Sequence, residues 1–497
     1  MKPSPGKVPL IQALIDYRDK GYRPFHMPGH KQGAGQSRWF KELLGKEIFT
    51  LDLTELPGLD DLHQPQDVIQ KAQRAAAQCF GAEESYFLIN GSTVGVQAML
   101  LATAGPEEEV WITRQAHRST LAGLILSGSR PRYLPVPIDP VYQIPLALSV
   151  TEIQKRLEAA LKTPNEGSLV RGLLVVHPNY YGITSDLSAI RQITREQNQV
   201  LLVDEAHGPH FYFHEALPIS ALEAGADVTV QSWHKVLTSL TQTALLHRQG
   251  VRVSKERLRR CLMLLQSSSP SYILMSSLDA ARWQMQEEGR TRLEQTLELA
   301  EKARELINQI HGLSCLGQEV RQFCSVGDWD PTRLVIKVSG LGLTGYQAAD
   351  ILRQDYGLQV EMADNCNLLA LITLGDDQAA INDLVEGLKD LAARWYNGKD
   401  KAKNAPWSMK AYPEPEVALT PREAFFWSRT RNCFLKEAEG EISAELICPY
   451  PPGIPLLSPG ETITRAVIEI IEELQAAGAT WQGPADPTLK KLEVLVL

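Results

Sequence analysis

Four short stretches hold residues whose types and order can do chemistry. Asn90-Gly91-Ser92-Thr93-Val94-Gly95 follows the run Ser85–Ile89, and Arg114-Gln115-Ala116-His117-Arg118-Ser119 follows Val110–Thr113. Asp204-Glu205-Ala206-His207-Gly208 follows Val200–Val203, and Ser232-Trp233-His234-Lys235 follows Val228–Gln231. Each leading run is short and mostly apolar, as a buried strand is. In a parallel α/β sheet, ligands bind outside the carboxyl ends of the strands. One polar strand end is ordinary; four in one sheet outline a site.

Each group has a chemical use and a plain alternative. Gly91-Ser92-Thr93 before a helix can cradle a phosphate, because small residues admit an anion to the unpaired N–H groups of a helix N-terminus. The same residues also make an ordinary helix cap. Asp204 closes an apolar strand, and a buried carboxylate needs a partner: a metal, a helix N-terminus or a protonated heterocycle. It can equally cap a helix. Lys235 at a strand end can be desolvated to a neutral amine that attacks a carbonyl cofactor, or it can be a surface lysine. His117 reads as a stacking ring, a general acid or a core histidine, and spacing does not choose among them.

Two motif matches fail on context. Asp204-Glu205-Ala206-His207 spells a helicase signature, yet no Gly-Lys pair is followed by Ser or Thr, as a P-loop requires. Gly33-Ala34-Gly35 begins like a dinucleotide fingerprint, but Arg38 stands where the third glycine belongs. The charge balance, 50 Lys+Arg against 59 Asp+Glu for a net −9, also argues against a nucleic-acid partner. No apolar run approaches the ~20 residues of a membrane span, and the N-terminus lacks a signal-peptide core. The seven scattered cysteines contain no CxxC, which disfavours a zinc site or disulfide framework and fits a reducing, cytoplasmic setting. No metal ligand set is expected.

The elements that must position these residues follow from periodicity. Helix-like stretches at Asp67–Cys79 and Val94–Ala104 alternate with the strand-like runs named above and with Leu173–Val176. That alternation predicts βαβ units around a largely parallel sheet. A long amphipathic helix is expected at Ser276–Gln309, then strands at Arg333–Val338 and Leu368–Thr373 in a smaller α/β unit. Gly398–Asn404 reads as a charged linker, and the last segment holds the proline-dense run Pro449–Pro455 and a helix near Thr462–Ala476. At ~150 residues per domain the length suggests about three units. The expected division is an N-terminal segment 1–55, a large domain 56–290, a small domain 291–400 and a C-terminal α+β domain 401–497.

The order Gly-Ser-Thr, His, Asp, Ser-x-His-Lys along one α/β domain resembles fold-type I enzymes dependent on pyridoxal 5′-phosphate. More narrowly, the chain resembles the ornithine/lysine/arginine decarboxylase family. The likeness spans Met27-Pro-Gly-His-Lys31, Leu59-Asp-Asp-Leu-His63, Gly91-Ser-Thr93, His117-Arg-Ser119, Asp204-Glu-Ala-His207 and Ser232-Trp-His-Lys235. It continues through Ser268-Ser-Pro-Ser-Tyr272, Pro421-Arg-Glu-Ala424, Pro449–Pro455 and Pro459-Gly-Glu461.

The resemblance implies an aspartate aminotransferase-like fold and gives the residues roles. Lys235 would hold the cofactor through its amine, and Asp204 would pair with the pyridine nitrogen. His117 would stack on the ring, with Ala206 packed behind it and His207 in the pocket wall, where some relatives carry Trp. Ser92, Thr93, Ser232 and His234 would bind the phosphate. Ser268 would reach the phosphate of a neighbouring subunit, so a homodimer or higher homo-oligomer with shared sites is implied. Only 26 residues precede Met27, so the resemblance is to the short form, without the extra N-terminal domain of longer members.

The implied reaction is decarboxylation of a basic L-amino acid, with arginine ahead of lysine and ornithine. A different fold-type I reaction, such as transamination, is the competing reading. The substrate's distal cation needs a carboxylate, carbonyl or aromatic face; Asp60, Asp61, Glu361, Asp364, Glu441 and Glu445 are the candidates.

Overall fold

In the computed structural model, residues 6–162, 169–396, 412–450 and 453–497 are described. The linker reading at Gly398–Asn404 and residues 451–452 of the proline-dense run lie outside them. The chain falls into two compact units. The first is Met1–Ala102, Leu202–Glu215 and Ile219–Arg292; the second is Thr103–Leu201, Ala216–Pro218 and Leu293–Leu497.

A seven-stranded sheet carries the strand ends of interest. Its members are β1 (Glu84–Leu88), β2 (Glu109–Thr113), β3 (Arg130–Leu134), β4 (Val170–Val176), β5 (Val200–Asp204), β6 (Val228–Gln231) and β7 (Ala244–Arg248). Their order is β1-β7-β6-β5-β4-β2-β3. β2 pairs in parallel with β3 and β4, and β5 pairs in parallel with β6. Every residue of β2, β5 and β6 is buried, the burial of a sheet covered on both faces.

The sheet is thus mostly parallel, as expected, with one inversion. β7 runs antiparallel to both β6 and β1. Only the short helix Trp233–Val236 and a turn separate β6 from β7. The link Ser232–Thr243 holds only that four-residue helix, about 6 Å long, too short to carry the chain back along the sheet as a parallel crossover would, so the chain returns antiparallel.

In the first unit, the helix Gly91–Thr103 begins three residues before the expected Val94. Its Gly95 explains how closely it lies on the sheet. A Cβ there would stand 2.4 Å from Val230 Cγ2 and 2.8 Å from Leu88 Cδ1. Only glycine lets this helix rest on β6, and that contact fixes the helix N-terminus near the end of β6. The helix Val68–Phe80 matches the expected Asp67–Cys79, and the long helix runs Tyr272–Asn308, 37 residues.

Two of the second unit's local cores each pack a small sheet against helix. One packs the antiparallel sheet of Ser314–Cys315, Arg333–Lys337, Asn367–Leu371 and Met362–Ala363 under the helices Gly345–Tyr356 and Gln378–Trp395, around Leu334, Ile336, Leu352, Leu368 and Leu388. The other surrounds the antiparallel pair Thr430–Phe434 and Lys491–Leu495 with the helix Arg465–Ala477. Leu435, Ile447, Leu457, Ile463 and Val467 fill it. Thr464 caps that helix by accepting from the Val467 N–H.

Candidate functional site

Lys235 sits one turn beyond the end of β6, and Asp204 ends β5 beside it, with Asp204 opposite Val230 in the register. Asp204 is buried, and burial raises its carboxyl pKa; the charge of Lys235 and the Ala206 N–H oppose that rise. The Ala206 N–H donates to Asp204 Oδ1 at 3.1 Å. The carboxylate therefore keeps acceptor capacity in a setting where a positive partner is strongly favoured. Lys235 Nζ lies 3.0 Å from His207 Nε2, within hydrogen-bond reach, and His207 is itself buried.

The next group is hydroxyl-rich. Ser232 Oγ donates to Ser92 Oγ at 2.7 Å, joining the end of β6 to the first turn of the helix Gly91–Thr103. Thr93 follows on the same turn and is exposed. The first N–H groups of a helix lack intrahelical partners. Gly91 has φ +75°, and a Cβ there would meet nothing nearer than 4.0 Å. Three hydroxyls and a helix N-terminus around an open, left-handed glycine are groups that can cradle an anion.

His234 lies in the same short helix as Lys235. Its Nδ1 lies 2.7 Å from the Thr243 carbonyl, so Nδ1 carries the proton. Burial, the Thr243 contact and the Lys235 charge act on the ring, and burial dominates to lower its pKa. In the neutral ring Nε2 is an acceptor; a phosphate dianion beside it would favour the imidazolium.

The Ser268 loop is exposed. Its neighbour Ser267 donates its N–H to Asn90 Oδ1 at 3.2 Å, and the Ser267 carbonyl is 2.9 Å from His63 Nε2. Lys235, Asp204, Ala206, His207, Ser92, Thr93, Ser232, His234 and Ser268 all belong to the first unit, whereas His117 belongs to the second. His117 Nδ1 accepts the Ser119 N–H at 3.2 Å and lies 3.0 Å from Ser119 Oγ. A Cβ on Gly453 would come within 3.4 Å of its ring.

The six carboxylates considered for a distal cation separate clearly. Asp60 accepts from five backbone N–H groups, those of Asp61, Gln66, Asp67, Ile69 and Gln70. Asp61 caps His63, Asp364 caps Cys366 and Asn367, and Glu445 accepts from Ala485 and Glu493. Glu441 is paired with Arg431 at 2.9 Å. Glu361 is exposed, and its carboxylate accepts from one side chain, the Tyr180 hydroxyl, at 2.5 Å. Tyr180 lies on the loop leaving the carboxyl end of β4, in the same unit as Glu361.

Three features were not visible as functional groups in the sequence. One is the buried ion pair of Arg114 and Glu461, 347 residues apart. The second is the Tyr180–Glu361 bond. The third is a buried polar chain behind Lys235 running through Glu205, Gln231, His247 and Ser85. Gln231 was the one hint, a polar residue closing an otherwise apolar strand. Among the described residues no group of three or more His, Cys, Asp or Glu could hold a metal ion, and no helix is long and apolar enough to cross a membrane.

Comparison with known proteins fits this geometry. Residues 8–380 match the model of the Orn/Lys/Arg decarboxylase major domain, and residues 406–484 match that of its C-terminal domain. An arginine decarboxylase of Bacillus anthracis is 38% identical over 490 residues, covering 98% of this chain and 97% of that protein. One of Bacillus subtilis is also 38% identical, covering 98% of each. In the solved structure of lysine decarboxylase A from Pseudomonas aeruginosa the same fold is seen, with a TM-score of 0.85 at 22% identity, over 98% of this chain and 80% of that one.

Proposed function

The chain belongs to the Orn/Lys/Arg decarboxylase family, and from that premise we propose that it converts L-arginine to agmatine and CO₂. We read it as a cytoplasmic homodimer or higher homo-oligomer that binds pyridoxal 5′-phosphate. The observation that carries the reading is the meeting of Lys235, a buried Asp204 and the hydroxyl-lined helix N-terminus at adjacent strand ends. These groups match the three chemical parts of that cofactor: a carbonyl carbon, a basic ring nitrogen and a phosphate.

The chemistry contributed by bound pyridoxal 5′-phosphate is an electron sink for the pair left on Cα as CO₂ departs. The protein's own residues do the rest. Lys235 would hold the cofactor through Nζ, and its amine would be placed to return a proton to Cα of the substrate. His207, 3.0 Å from Nζ, takes or gives that amine's proton. Asp204 would favour a proton on the ring nitrogen, because its buried charge is best answered by a cation. Ser92, Thr93 and Ser232 would hold the phosphate with the helix N–H groups, joined by His234 as imidazolium. As the family resemblance implies, His117 would cover the ring face, Ala206 would leave room behind it, and Ser268 would reach the site of a neighbouring subunit.

For the distal group, Glu361 is the carboxylate of choice, since it alone of the six is not spent on backbone N–H groups or an arginine. Its Tyr180 hydrogen bond orients it, and a fixed carboxylate suits the planar guanidinium. Arginine is preferred over lysine because the relatives at 38% identity bear the arginine name. Incubation with carboxyl-labelled arginine, lysine and ornithine tests the reading: labelled CO₂ with agmatine supports it, and keto acid without CO₂ points to transamination.

A further inference from the structure

We propose that Glu205 is a positioning residue for Lys235: acting through Gln231 and Trp233, it locks the turn Ser232–Val236 when ionised and releases it when protonated. The inference rests on the reading of Lys235 as the cofactor-bearing lysine.

The hydrogen bonds allow one assignment. Glu205 is fully buried, and its Oε1 accepts the Ala221 N–H at 2.6 Å. Its Oε2 accepts from Gln231 Nε2 at 2.7 Å. Gln231 Oε1 in turn accepts the Trp233 indole N–H at 3.1 Å. An indole nitrogen only donates and a carboxylate only accepts, so the Gln231 amide cannot be reversed. His247 Nε2 lies 3.1 Å from the same Gln231 Oε1 and so carries its ring proton. His247 Nδ1 is then an acceptor, and it faces Ser85 Oγ at 2.7 Å. Donors and acceptors alternate without conflict from Glu205 to Ser85.

A proton on Glu205 Oε2 breaks this pattern at one place. The acid now needs an acceptor, and a half-turn of the Gln231 amide supplies Oε1. Gln231 Nε2 then faces Trp233 and His247. His247 can adapt by moving its proton to Nδ1 and donating to Ser85. Trp233 cannot adapt, because its indole N–H meets another donor. Trp233 is fully buried and lies two residues before Lys235 in the same short helix. The proton taken up at Glu205 is therefore felt as a lost hydrogen bond in the turn that aims Lys235.

The surroundings make that proton exchangeable near neutrality. Burial pushes the Glu205 carboxyl up to about 8, helped by the charge of Glu223 and opposed by Gln231 and the Ala221 N–H. On β7, His247, bonded to the same Gln231, is lowered by burial to about 3 and so held neutral. From the helix Val68–Phe80, the uncharged Phe80 ring stacks on His247 and tilts against Trp233.

The holoenzyme labelled with 5-fluorotryptophan tests this by ¹⁹F NMR, the Trp233 resonance being the one lost in Trp233→Phe. In the wild type it should shift with one ionisation near pH 8. In Glu205→Gln, which holds the protonated pattern, it should stay at its acidic position. Well above pH 8, where the wild type is ionised, the same variant should need about tenfold more cofactor to load Lys235, measured by borohydride fixation and peptide mass, as one lost buried hydrogen bond implies; below that pH the two should converge. In a Trp233→Phe background the Glu205→Gln effect should largely vanish, because no indole is left to orphan.

A flat wild-type titration with Lys235 loaded overturns the proposal, and the titration decides this without any variant. Loading of Glu205→Gln well above pH 8 as tight as wild type, or an equal effect in the Trp233→Phe background, also overturns it. A wild-type enzyme that carries no cofactor on Lys235 sinks instead the functional reading beneath it.

Discussion

Two buried charges in this protein stand in opposite conditions. Glu461 in the second unit meets Arg114 through both carboxylate oxygens, at 2.5 and 3.1 Å, with both side chains almost fully buried. Arg114 also donates to the Leu456 carbonyl and lies 4.7 Å from the Tyr133 ring centre, while Glu461 accepts the Ser458 N–H. Asp204 in the first unit is also buried, but among the described residues its carboxylate accepts only from the Ala206 N–H, and burial raises its pKa. The first carboxylate is spent within the fold. The second keeps acceptor capacity, as its proposed pairing with a ligand's charge requires. Saturation of partners, more than burial, separates a structural charge from a functional one.

Breaking the Asp204 side should cost turnover. Lys235→Ala should lower kcat by more than roughly 10³-fold by removing the nucleophile. Mixing that variant with Ser268→Trp should restore part of the activity if subunits share sites, and no recovery would argue for self-contained ones. Asp204→Asn should lower kcat by about 10²–10³-fold, the size expected for one preorganised charge, with stability to urea unchanged or improved.

Breaking the spent side should do the reverse. Arg114→Met leaves Glu461 buried and alone, which should cost about 3–5 kcal/mol in urea unfolding, while kcat of the folded fraction holds. Loss of kcat with unaltered stability would erase the distinction. Glu361→Gln tests a carboxylate of intermediate standing: KM for arginine should rise about tenfold, the effect of weakening one charge-assisted hydrogen bond, with kcat little changed.

The strand ends of the first unit were legible because buried parallel strands are unbroken apolar runs, and their first polar residue marks the mouth of the sheet. Asp204 and Lys235 stood out for that reason. β3 escaped notice because Arg130-Pro131-Arg132 does not read as a strand; it is an edge strand, where proline is tolerated. β7 was hidden because its link to β6 carries only the short helix Trp233–Val236 and so lacks the long helix of a βαβ unit. The helix at Gly91 begins in residues of poor helix propensity, whose place there is set by the Gly95 contact with Val230. Arg114 and Glu461 could not be joined by any local rule, since 347 residues separate them. Glu205 drew no attention beside Asp204, because its meaning depends on which way an amide on the neighbouring strand points.

The central claim is that Lys235 and Asp204 serve the decarboxylation of arginine. The most direct test is product analysis with carboxyl-labelled arginine in the presence of pyridoxal 5′-phosphate. One CO₂ released per agmatine formed, faster than with lysine or ornithine and absent in Lys235→Ala, is the predicted result. Consumption of arginine with keto acid but no CO₂, or equal CO₂ release by Lys235→Ala, would contradict it.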